Sequence, residues 1–221
     1  MPHQADISWL AEISSGFLSQ GIGVSLASYA LGCFTTGYYL VRFSSGRDIR
    51  QLGSGSAGAR NVGRHAGVLG FGIVLIVDLG KGALSVWGAD HFTGSDSLKV
   101  VAMVAVVCGH IWPVQLGFHG GKGMASAGGA LLVFDPMIFL WMSILCLGSL
   151  ALSRKTVFSG LLAFALGPIL SAGLAQPGFK IAGISSISAL VLLAHRKNLL
   201  EEFCGLASNQ GFKTKSKNRP H

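Results

Sequence analysis

Charged side chains are scarce in this chain, and acidic ones are scarcer still. Asp, Glu, Lys and Arg make up 12% of the 221 residues, and nine acidic residues stand against 17 basic ones. Soluble domains carry roughly 25% charged residues, so this composition is that of an integral membrane protein. A net charge of +8 could indicate a nucleic-acid partner. The basic residues lie in short loops between apolar runs, however, as they do in membrane proteins, so we expect no nucleic acid.

Cysteine and metal-ligand patterns are also sparse. Three of the four cysteines lie inside apolar runs and Cys204 lies near the C-terminus, so we interpret all four as reduced, small hydrophobic side chains. The seven histidines form no HxxxH pair, and there are no paired cysteines, so neither a metal site nor a metal cofactor is expected. The first residues contain acidic side chains but no Lys or Arg, and make a poor signal peptide.

No polar segment is long enough to build a second core, so we expect one transmembrane catalytic domain over residues 18–198. A spanning helix needs about 20 apolar residues. The apolar stretches predict an all-α, polytopic membrane protein with about seven transmembrane helices. The fourth stretch is short and could be re-entrant, which leaves five or six crossings as alternatives. The stretches are 18–41, 67–89, 98–117, 123–134, 137–152, 157–176 and 179–195.

The distribution of basic residues predicts the orientation. With seven crossings and the N-terminus outside, fourteen of the 17 basic residues fall on the cytoplasmic side, as the positive-inside rule expects. Lys99 and Lys180 fall outside, and Lys81 lies within a helix. Residues 1–17 then form an extracytoplasmic N-terminal segment, and residues 199–221 form a basic cytoplasmic tail that lipid headgroups attract.

The segment from Arg47 to Arg64 lies between two apolar runs and holds four arginines among repeated glycines. Glycine lets backbone N–H groups turn towards an anion, and arginine supplies a forked cation, so the segment suits a phosphate. A basic loop that only anchors the protein at the membrane surface is the alternative. Residues 53–58 fit G-x-G-x-x-G, but a dinucleotide site needs a βαβ unit, which a chain of apolar helices lacks.

Other polar residues interrupt the apolar runs. Asp78 and Lys81 are spaced i, i+3 inside an apolar stretch, where charges usually pair or mark a site. Lys122, within Gly-Gly-Lys-Gly, can reach a phosphate as a P-loop lysine does, or can be a plain surface lysine. At the end of the last run, His195 and Asn198 share a helix face.

Four polar segments follow one another along the chain: GSGSAGARNVGR (53–64), DLGKG (78–82), GHIWPVQLGFHGGKGMA (109–125) and AHRKN (194–198). Together they resemble the acyl-phosphate-dependent glycerol-3-phosphate acyltransferases of bacterial membranes, the PlsY type. That family carries GSGNxGATNxxR, DxxKG and GHxxPxxxxFxGGKGxA segments and an RHxxN-like end. Order, spacing and expected topology agree along essentially the whole chain.

The resemblance implies a reaction and a location. An acyl group would pass from an acyl phosphate to the 1-hydroxyl of glycerol 3-phosphate, giving lysophosphatidic acid and phosphate. The protein would cross the bacterial plasma membrane several times, among membrane lipids, with its active site facing the cytoplasm. The family uses no metal, coenzyme A or acyl carrier protein at this step.

The resemblance also implies roles for matching residues. The catalytic, phosphate-holding cluster would be Ser54, Arg64, Lys122, His195 and Asn198. Further phosphate-binding positions would be Gly53, Gly55, Gly58, Asn61, Gly121 and Gly123. Asp78, Lys81 and His110 would support the site. His110 could line the site or satisfy a backbone carbonyl, and we favour the bond to a carbonyl. His195 could deprotonate the acceptor hydroxyl, unless the substrate's own phosphate takes the proton.

The chain departs from the family pattern at several positions. Ser56 stands where the family usually has Asn, Arg60 where it has Thr, and Ala194 where it has Arg. Arg60 adds a charge beside the expected phosphate site, so a paralogous acyltransferase with another phosphorylated acceptor is an alternative. Interrupted helices and buried charges leave a transporter or channel for a phosphorylated solute as another, and a non-catalytic lipid-binding scaffold as a third.

Overall fold

The computed structural model describes residues 15–197, and over that range the protein is all-α. Most of the predicted N-terminal segment 1–17, Asn198 and the predicted tail 199–221 lie outside the described residues. Two short 3₁₀ helices, Ile49–Gln51 and Val114–Leu116, accompany the α-helices. The α-helices of the described range are α1 (Ser15–Cys33), α2 (Thr36–Ser45), α3 (Ala59–Thr93), α4 (Asp96–Ile111), α5 (Met124–Phe134), α6 (Pro136–Ser153), α7 (Thr156–Gly173) and α8 (Gly178–Ala194).

The polytopic, all-α architecture predicted from the apolar stretches is confirmed. Within residues 15–197, five helical segments are long and apolar enough to cross a membrane, and α5 and α8 are shorter apolar helices. With 11 residues, α5 is about 16 Å long at 1.5 Å per residue. A bilayer core is about 30 Å thick, so α5 by itself does not span it. The count of seven crossings stays a prediction.

Three predicted spans have different bounds in the structure. The stretch 18–41 forms two helices, α1 and α2, with two non-helical residues between them. The stretch 98–117 is α-helical only to Ile111. Pro113 ends the α-helix because it has no N–H and disfavours a helical conformation in the residue before it. The helix over 67–89 begins earlier, at the first residue of α3.

The early start of α3 comes from a chain reversal at Gly67. Its φ of 70° and ψ of −171° lie in a region that only glycine adopts readily. Gly63, before the reversal, lies against Phe71, after it. A Cβ placed on Gly63 would lie 2.9 Å from the Cβ of Phe71. In a straight helix, residues eight positions apart are separated by about 12 Å. We call residues 59–66 the short arm of α3 and residues 68–93 the long arm.

Glycines bring two pairs of helices into backbone contact. A Cβ on Gly32 of α1 or on Gly109 of α4 would collide with a carbonyl oxygen of the other helix. A Cβ on Gly82 of α3 or on Gly129 of α5 would likewise collide with a carbonyl oxygen of the other helix. Small residues at such crossings let membrane helices approach closely. These contacts set the position of α4 relative to α1, and that of α5 relative to the long arm of α3.

The apolar core lies where the long arm of α3 meets α4, α5, α7 and α8, with Met103, Leu131, Phe164 and Ile184 among its buried side chains. By contrast, α6 buries little beyond Ile138 and Met142. Most of its remaining large apolar side chains are exposed in the protein alone. That surface suits contact with lipid, since lipid tails are as apolar as the side chains.

Candidate active site

One cavity brings together polar residues from distant parts of the chain. It has a volume of about 550 Å³ and is lined by both arms of α3, the end of α4 and the starts of α5 and α7. Of the predicted catalytic residues, Ser54, Arg64, Lys122 and His195 line it, whereas Asn198 lies outside the described residues. The other predicted site residues in its wall are Gly58, Asn61, Asp78, His110 and Gly123.

Asn61 holds in place the segment between α2 and α3, residues 46–58, which we call the glycine-rich loop. Its Oδ1 accepts a hydrogen bond from the backbone N–H of Ser54 at 3.1 Å. Its Nδ2 donates to the carbonyl oxygens of Ile49 (3.3 Å), Leu52 (2.9 Å) and Ser56 (2.9 Å). An amide nitrogen carries two hydrogens, so these three carbonyls already share both. Asn61 therefore positions the loop, which differs from the predicted role as a direct phosphate ligand.

Three glycines predicted to bind phosphate lie behind the residues that line the cavity. Gly53 and Gly55 adopt positive φ angles of 55° and 70°, which glycine adopts without steric cost. A Cβ on Gly121 would collide with the imidazole of His110. None of the three is among the residues that line the cavity. They shape the backbone around the cavity.

Arg50 joins the glycine-rich loop to the segment after α4. Its guanidinium bonds both carboxylate oxygens of Asp48 and donates to the carbonyl oxygen of Leu116 at 2.7 Å. It also lies over the ring of Tyr38, 5.0 Å from the centroid. The hydrogen bonds from Arg50 hold the pKa of Asp48 below its usual value. Arg50 thus connects two segments, beyond the membrane anchoring that a basic loop suggests.

The Gly-Gly-Lys-Gly segment folds back on the end of α4. The N–H of Gly120 donates to the carbonyl oxygen of Ile111 at 3.1 Å. The N–H of Gly121 donates to the backbone carbonyl oxygen of His110 at 3.0 Å. The carbonyl oxygen of Gly120 accepts from the N–H of Ala57 at 3.3 Å. The segment that carries Lys122 is therefore hydrogen-bonded to both α4 and the glycine-rich loop.

A buried ion pair lies at the inner end of the cavity. The i, i+3 spacing predicted it, and Lys81 Nζ lies 3.0 Å from Asp78 Oδ1 with both side chains almost fully buried. Lys81 also donates to the carbonyl oxygens of Gly32 (3.1 Å) and Phe34 (2.8 Å), where α1 ends. Thr36, which sequence reasoning missed, donates to Asp78 Oδ1 at 3.1 Å. The pair therefore stabilises the break between α1 and α2.

His110 corrects one interpretation. Its Nδ1 lies 2.8 Å from Lys81 Nζ, whereas we interpreted it as bonded to a backbone carbonyl. Because an ammonium only donates, Nδ1 accepts and the proton of the neutral ring lies on Nε2. Asp78 and His110 line the cavity, and Lys81 does not. Lys81 therefore supports the wall from behind.

His195 lies at the end of α8 and is 5% exposed. Its Nδ1 lies 2.8 Å from the carbonyl oxygen of Val191. Because a carbonyl oxygen only accepts, Nδ1 carries the proton and Nε2 keeps a free lone pair. This tautomer is the one that a general base needs.

The cations of the short arm have no counterion among residues 15–197. Neither Arg60 nor Arg64 makes a hydrogen bond or ion pair within that range, and both line the cavity. Every carboxylate of the range pairs with a different cation, namely Asp48 with Arg50, Asp78 with Lys81, Asp90 and Asp96 with Lys99, and Asp135 with Lys180. The cavity wall therefore carries positive charge that an anionic ligand can neutralise.

The apolar part of the cavity wall was not predicted from the sequence. Phe71, Leu75 and Leu79 line the cavity from one face of the long arm, and Met124 and Val157 line it from α5 and α7. The i, i+4, i+8 spacing on α3 was a usable signal. It was hidden within a stretch that is apolar on every side.

Metal ligands do not cluster in the described part of the chain. No group of three or more His, Cys, Asp or Glu side chains there could hold a metal ion. Cys33, Cys108 and Cys146 are free thiols, and Cys204 lies outside the described residues.

Fold and cavity together define a polytopic membrane protein with a cationic, partly apolar site. The sequence model of the family described as "Glycerol-3-phosphate acyltransferase" matches residues 22–205. The chain belongs to the glycerol-3-phosphate acyltransferase family.

Relatives and solved structures agree with this membership. The chain is 45% identical over 176 residues to "Glycerol-3-phosphate acyltransferase 1" of Desulfitobacterium hafniense (strain Y51), over 80% of this chain and 87% of that protein. It is 37% identical over 188 residues to the "Glycerol-3-phosphate acyltransferase" of Synechococcus sp. (strain CC9902), over 85% and 94% of the two chains. The crystal structure of PlsY (YgiH) in its glycerol 3-phosphate form matches with a TM-score of 0.79 and 28% identity, over 84% and 92%. The lysophosphatidic acid form of PlsY matches with a TM-score of 0.74.

Proposed function

We propose that this protein transfers an acyl group from an acyl phosphate to the 1-hydroxyl of glycerol 3-phosphate, giving lysophosphatidic acid and inorganic phosphate. The carrying observation is that Ser54 and Arg64 of the segment 53–64, Lys122 and His195 line one cavity, although they come from three segments far apart in the sequence. Family membership and the glycerol 3-phosphate named for the PlsY crystal structure support the acceptor. The choice of acyl phosphate as donor, without coenzyme A or acyl carrier protein, rests on the family resemblance.

The cavity suits two phosphorylated substrates. Arg64 and Lys122 would bind phosphate oxygens, with Ser54 as a hydroxyl donor and the N–H groups at the start of α3 as further donors. Gly58 caps that helix without a side-chain hydrogen bond. The N–H groups of Asn61 and Val62 bond the Gly58 carbonyl oxygen, so those of Ala59 and Arg60 are the ones left for a ligand. The apolar wall of the cavity would contact the acyl chain. Holding both substrates in this way supplies proximity and electrostatic stabilisation.

The transfer step balances without a cofactor. The 1-hydroxyl oxygen forms a bond to the acyl carbonyl carbon, and the bond between that carbon and the phosphate oxygen breaks. Phosphate leaves with its electron pair, near Arg64 and Lys122. The hydroxyl proton passes to Nε2 of His195, whose Nδ1 is held by Val191. Asn198, three residues after His195 in the sequence, would orient the acceptor.

The proposed setting is the bacterial plasma membrane, with seven crossings, the N-terminus outside and the site facing the cytoplasm. The charge asymmetry of the sequence supports this orientation. Membrane lipids would surround the exposed apolar surface of helices such as α6. Both substrates would then bind at the inner membrane face.

An acceptor and donor panel tests the function. Purified protein receives palmitoyl phosphate with glycerol 3-phosphate, other phosphorylated acceptors, or water alone, and phosphate release and lipid product are measured. We expect lysophosphatidic acid and one phosphate per turnover with glycerol 3-phosphate, and loss of both in Arg64→Ala. Palmitoyl coenzyme A and palmitoyl acyl carrier protein should give no product. A folded protein that turns over no acyl phosphate would falsify the proposal.

The base is tested by the pH profile of His195→Ala. Removing a general base lowers kcat by about 10²- to 10⁴-fold, and the acidic limb of the kcat profile should disappear with the side chain. The matched control is His119→Ala, because His119 is exposed and its Nδ1 bonds only the nearby Gly117 carbonyl oxygen. An unchanged acidic limb in His195→Ala would instead assign the proton to the substrate's own phosphate.

A further inference from the structure

Arg60 is the charged residue of the cavity wall that the proposed function leaves without a role. It is the second residue of α3, lines the cavity, and is exposed. Arg64 follows at i+4, so both side chains lie on one face of the short arm, with Cβ atoms about 5–6 Å apart. Resemblance to the family gives no role for Arg60, because the family has Thr at this position.

The position is unfavourable for two arginines in the absence of an anion. Like charges at i, i+4 destabilise a helix, and cations at a helix N-terminus oppose the macrodipole. Ala59 begins the helix, so Arg60 and Arg64 both lie in its first two turns. Neither has a partner among residues 15–197, where every carboxylate bonds another cation. A bound anion would remove both penalties.

The charge balance of the proposed reaction requires more than Arg64 and Lys122. A phosphate monoester carries about −1.5 to −2 at neutral pH, so two phosphorylated substrates bring about −3 to −4 into one cavity. Arg64 and Lys122 supply two positive charges, which match one phosphate. Arg60 adds the third cation of the wall, one helical turn from Arg64.

We propose that Arg60 is a specificity-determining residue that binds the second of two phosphates held together in the site, while Arg64 binds the first. This inference rests on the proposed function. Each guanidinium presents a planar fork that matches a phosphate, and a separation of one turn places the two forks side by side. The second phosphate belongs either to the donor or to the acceptor, and kinetics separates the two sources.

The test compares Arg60→Thr and Arg60→Lys with the matched control Arg47→Thr. Arg47 lies in the same basic segment and is exposed, but it does not line the cavity. Palmitoyl phosphate is varied at fixed glycerol 3-phosphate, and then the reverse, with inorganic phosphate as an inhibitor. Thermal unfolding of each variant is recorded alongside.

We expect Arg60→Thr to raise the KM of one phosphorylated substrate by about tenfold or more, with much less change in the other. Arg60→Lys should fall between, because it keeps the charge and loses the fork. A higher KM for palmitoyl phosphate with weaker inhibition by inorganic phosphate assigns Arg60 to the donor. A higher KM for glycerol 3-phosphate alone assigns it to the acceptor.

Two results would overturn the inference while leaving the proposed function intact. In one, the Arg60→Thr variant turns over as fast as the wild type, and its KM values equal those of Arg47→Thr. The other is an equal rise in both KM values, since that would show a general effect of charge. If Arg60→Thr unfolds, Arg60→Lys carries the same comparison. Absence of turnover in the wild type overturns the proposed function itself.

Discussion

At the scale of single residues, side chains that hold the loops matter as much as those that face the cavity. The Arg50 guanidinium bonds the backbone of Leu116, 66 residues away, and the Asn61 amide bonds the backbone of the loop that precedes its helix. Neither contact follows from residue type alone, because many Asn and Arg side chains in a loop face water. Their roles depend on which carbonyl groups the fold places near them.

Replacement of Asn61 by alanine should unfix the glycine-rich loop. Four hydrogen bonds are lost, each worth about 0.5–1.5 kcal/mol net, so we expect a loss of about 2–6 kcal/mol in unfolding free energy. Activity should fall with it, because Ser54 is positioned by the same side chain. Thermal unfolding and phosphate release measure the two effects. Asn61→Asp keeps the acceptor but not the donors, and should be impaired too; full activity in that variant would contradict the role.

Asp48 should make stability depend on pH in acid. The pKa of Asp48 is lowered in the folded state by Arg50. The contribution of this carboxylate to stability is therefore present at pH values above its pKa in the unfolded chain, about 3.9. That contribution is lost as the pH falls through the lower folded value. Both side chains are partly exposed, so we expect less than about 1 kcal/mol. Unfolding of the wild type and Asp48→Asn is compared at pH 7 and pH 3. The difference in unfolding free energy between the two proteins should be smaller at pH 3 than at pH 7. An equal difference at both pH values would refute the linkage.

At the scale of elements, the reversal within α3 creates the site. Because Gly67 turns the chain back, the short arm carries Arg60 and Arg64 to the same cavity as Leu75 and Asp78 of the long arm. One continuous straight helix would separate these groups along its axis. The element therefore places phosphate-binding cations beside an apolar wall.

Gly67→Ala should disturb this reversal. A side chain at φ 70° and ψ −171° is strained by about 1–3 kcal/mol, and relief of the strain would move the short arm. We expect a lower unfolding temperature and higher KM values. The control is Gly72→Ala in the long arm, where a Cβ would meet nothing within 4 Å and where alanine is favoured by about 0.5–1 kcal/mol. Equal behaviour of the two variants would show that the reversal is not needed.

At the scale of the whole molecule, the cluster around Lys81 joins three parts of the bundle. It connects the end of α1, the long arm of α3 and, through His110, the end of α4. Two of these elements, α1 and α4, also contact each other through Gly32 and Gly109. The cavity wall thus depends on packing far from the glycine-rich loop.

Lys81→Met should be among the most damaging substitutions in the chain. It leaves Asp78 buried without its cation, which costs about 3–5 kcal/mol. The double variant Asp78→Asn/Lys81→Met removes both charges, and should recover much of that loss. Thermal unfolding of the two single variants and the double variant measures the coupling. Additive losses would show that the two charges act independently.

Much of the fold could be predicted from the sequence, because apolar length and local spacing are local properties. The confirmed polytopic, all-α architecture follows from stretches too apolar for water. The Asp78–Lys81 pair follows from i, i+3 spacing. The glycine-rich loop and Lys122 were predicted as parts of the site because the four motifs resemble one family, and Ser54 and Lys122 line the cavity.

Tertiary structure alone decided the rest. The sign of φ at Gly67, the four partners of Asn61 and the bond between His110 and Lys81 depend on groups distant in sequence or on backbone choices that glycine leaves open. Arg60 shows the difference most clearly. The sequence by itself determined that an extra cation follows the glycine-rich loop, through residue type and motif position. Only the packed short arm decided that this cation lines the cavity with no carboxylate partner among residues 15–197, because helix packing fixes which charges meet.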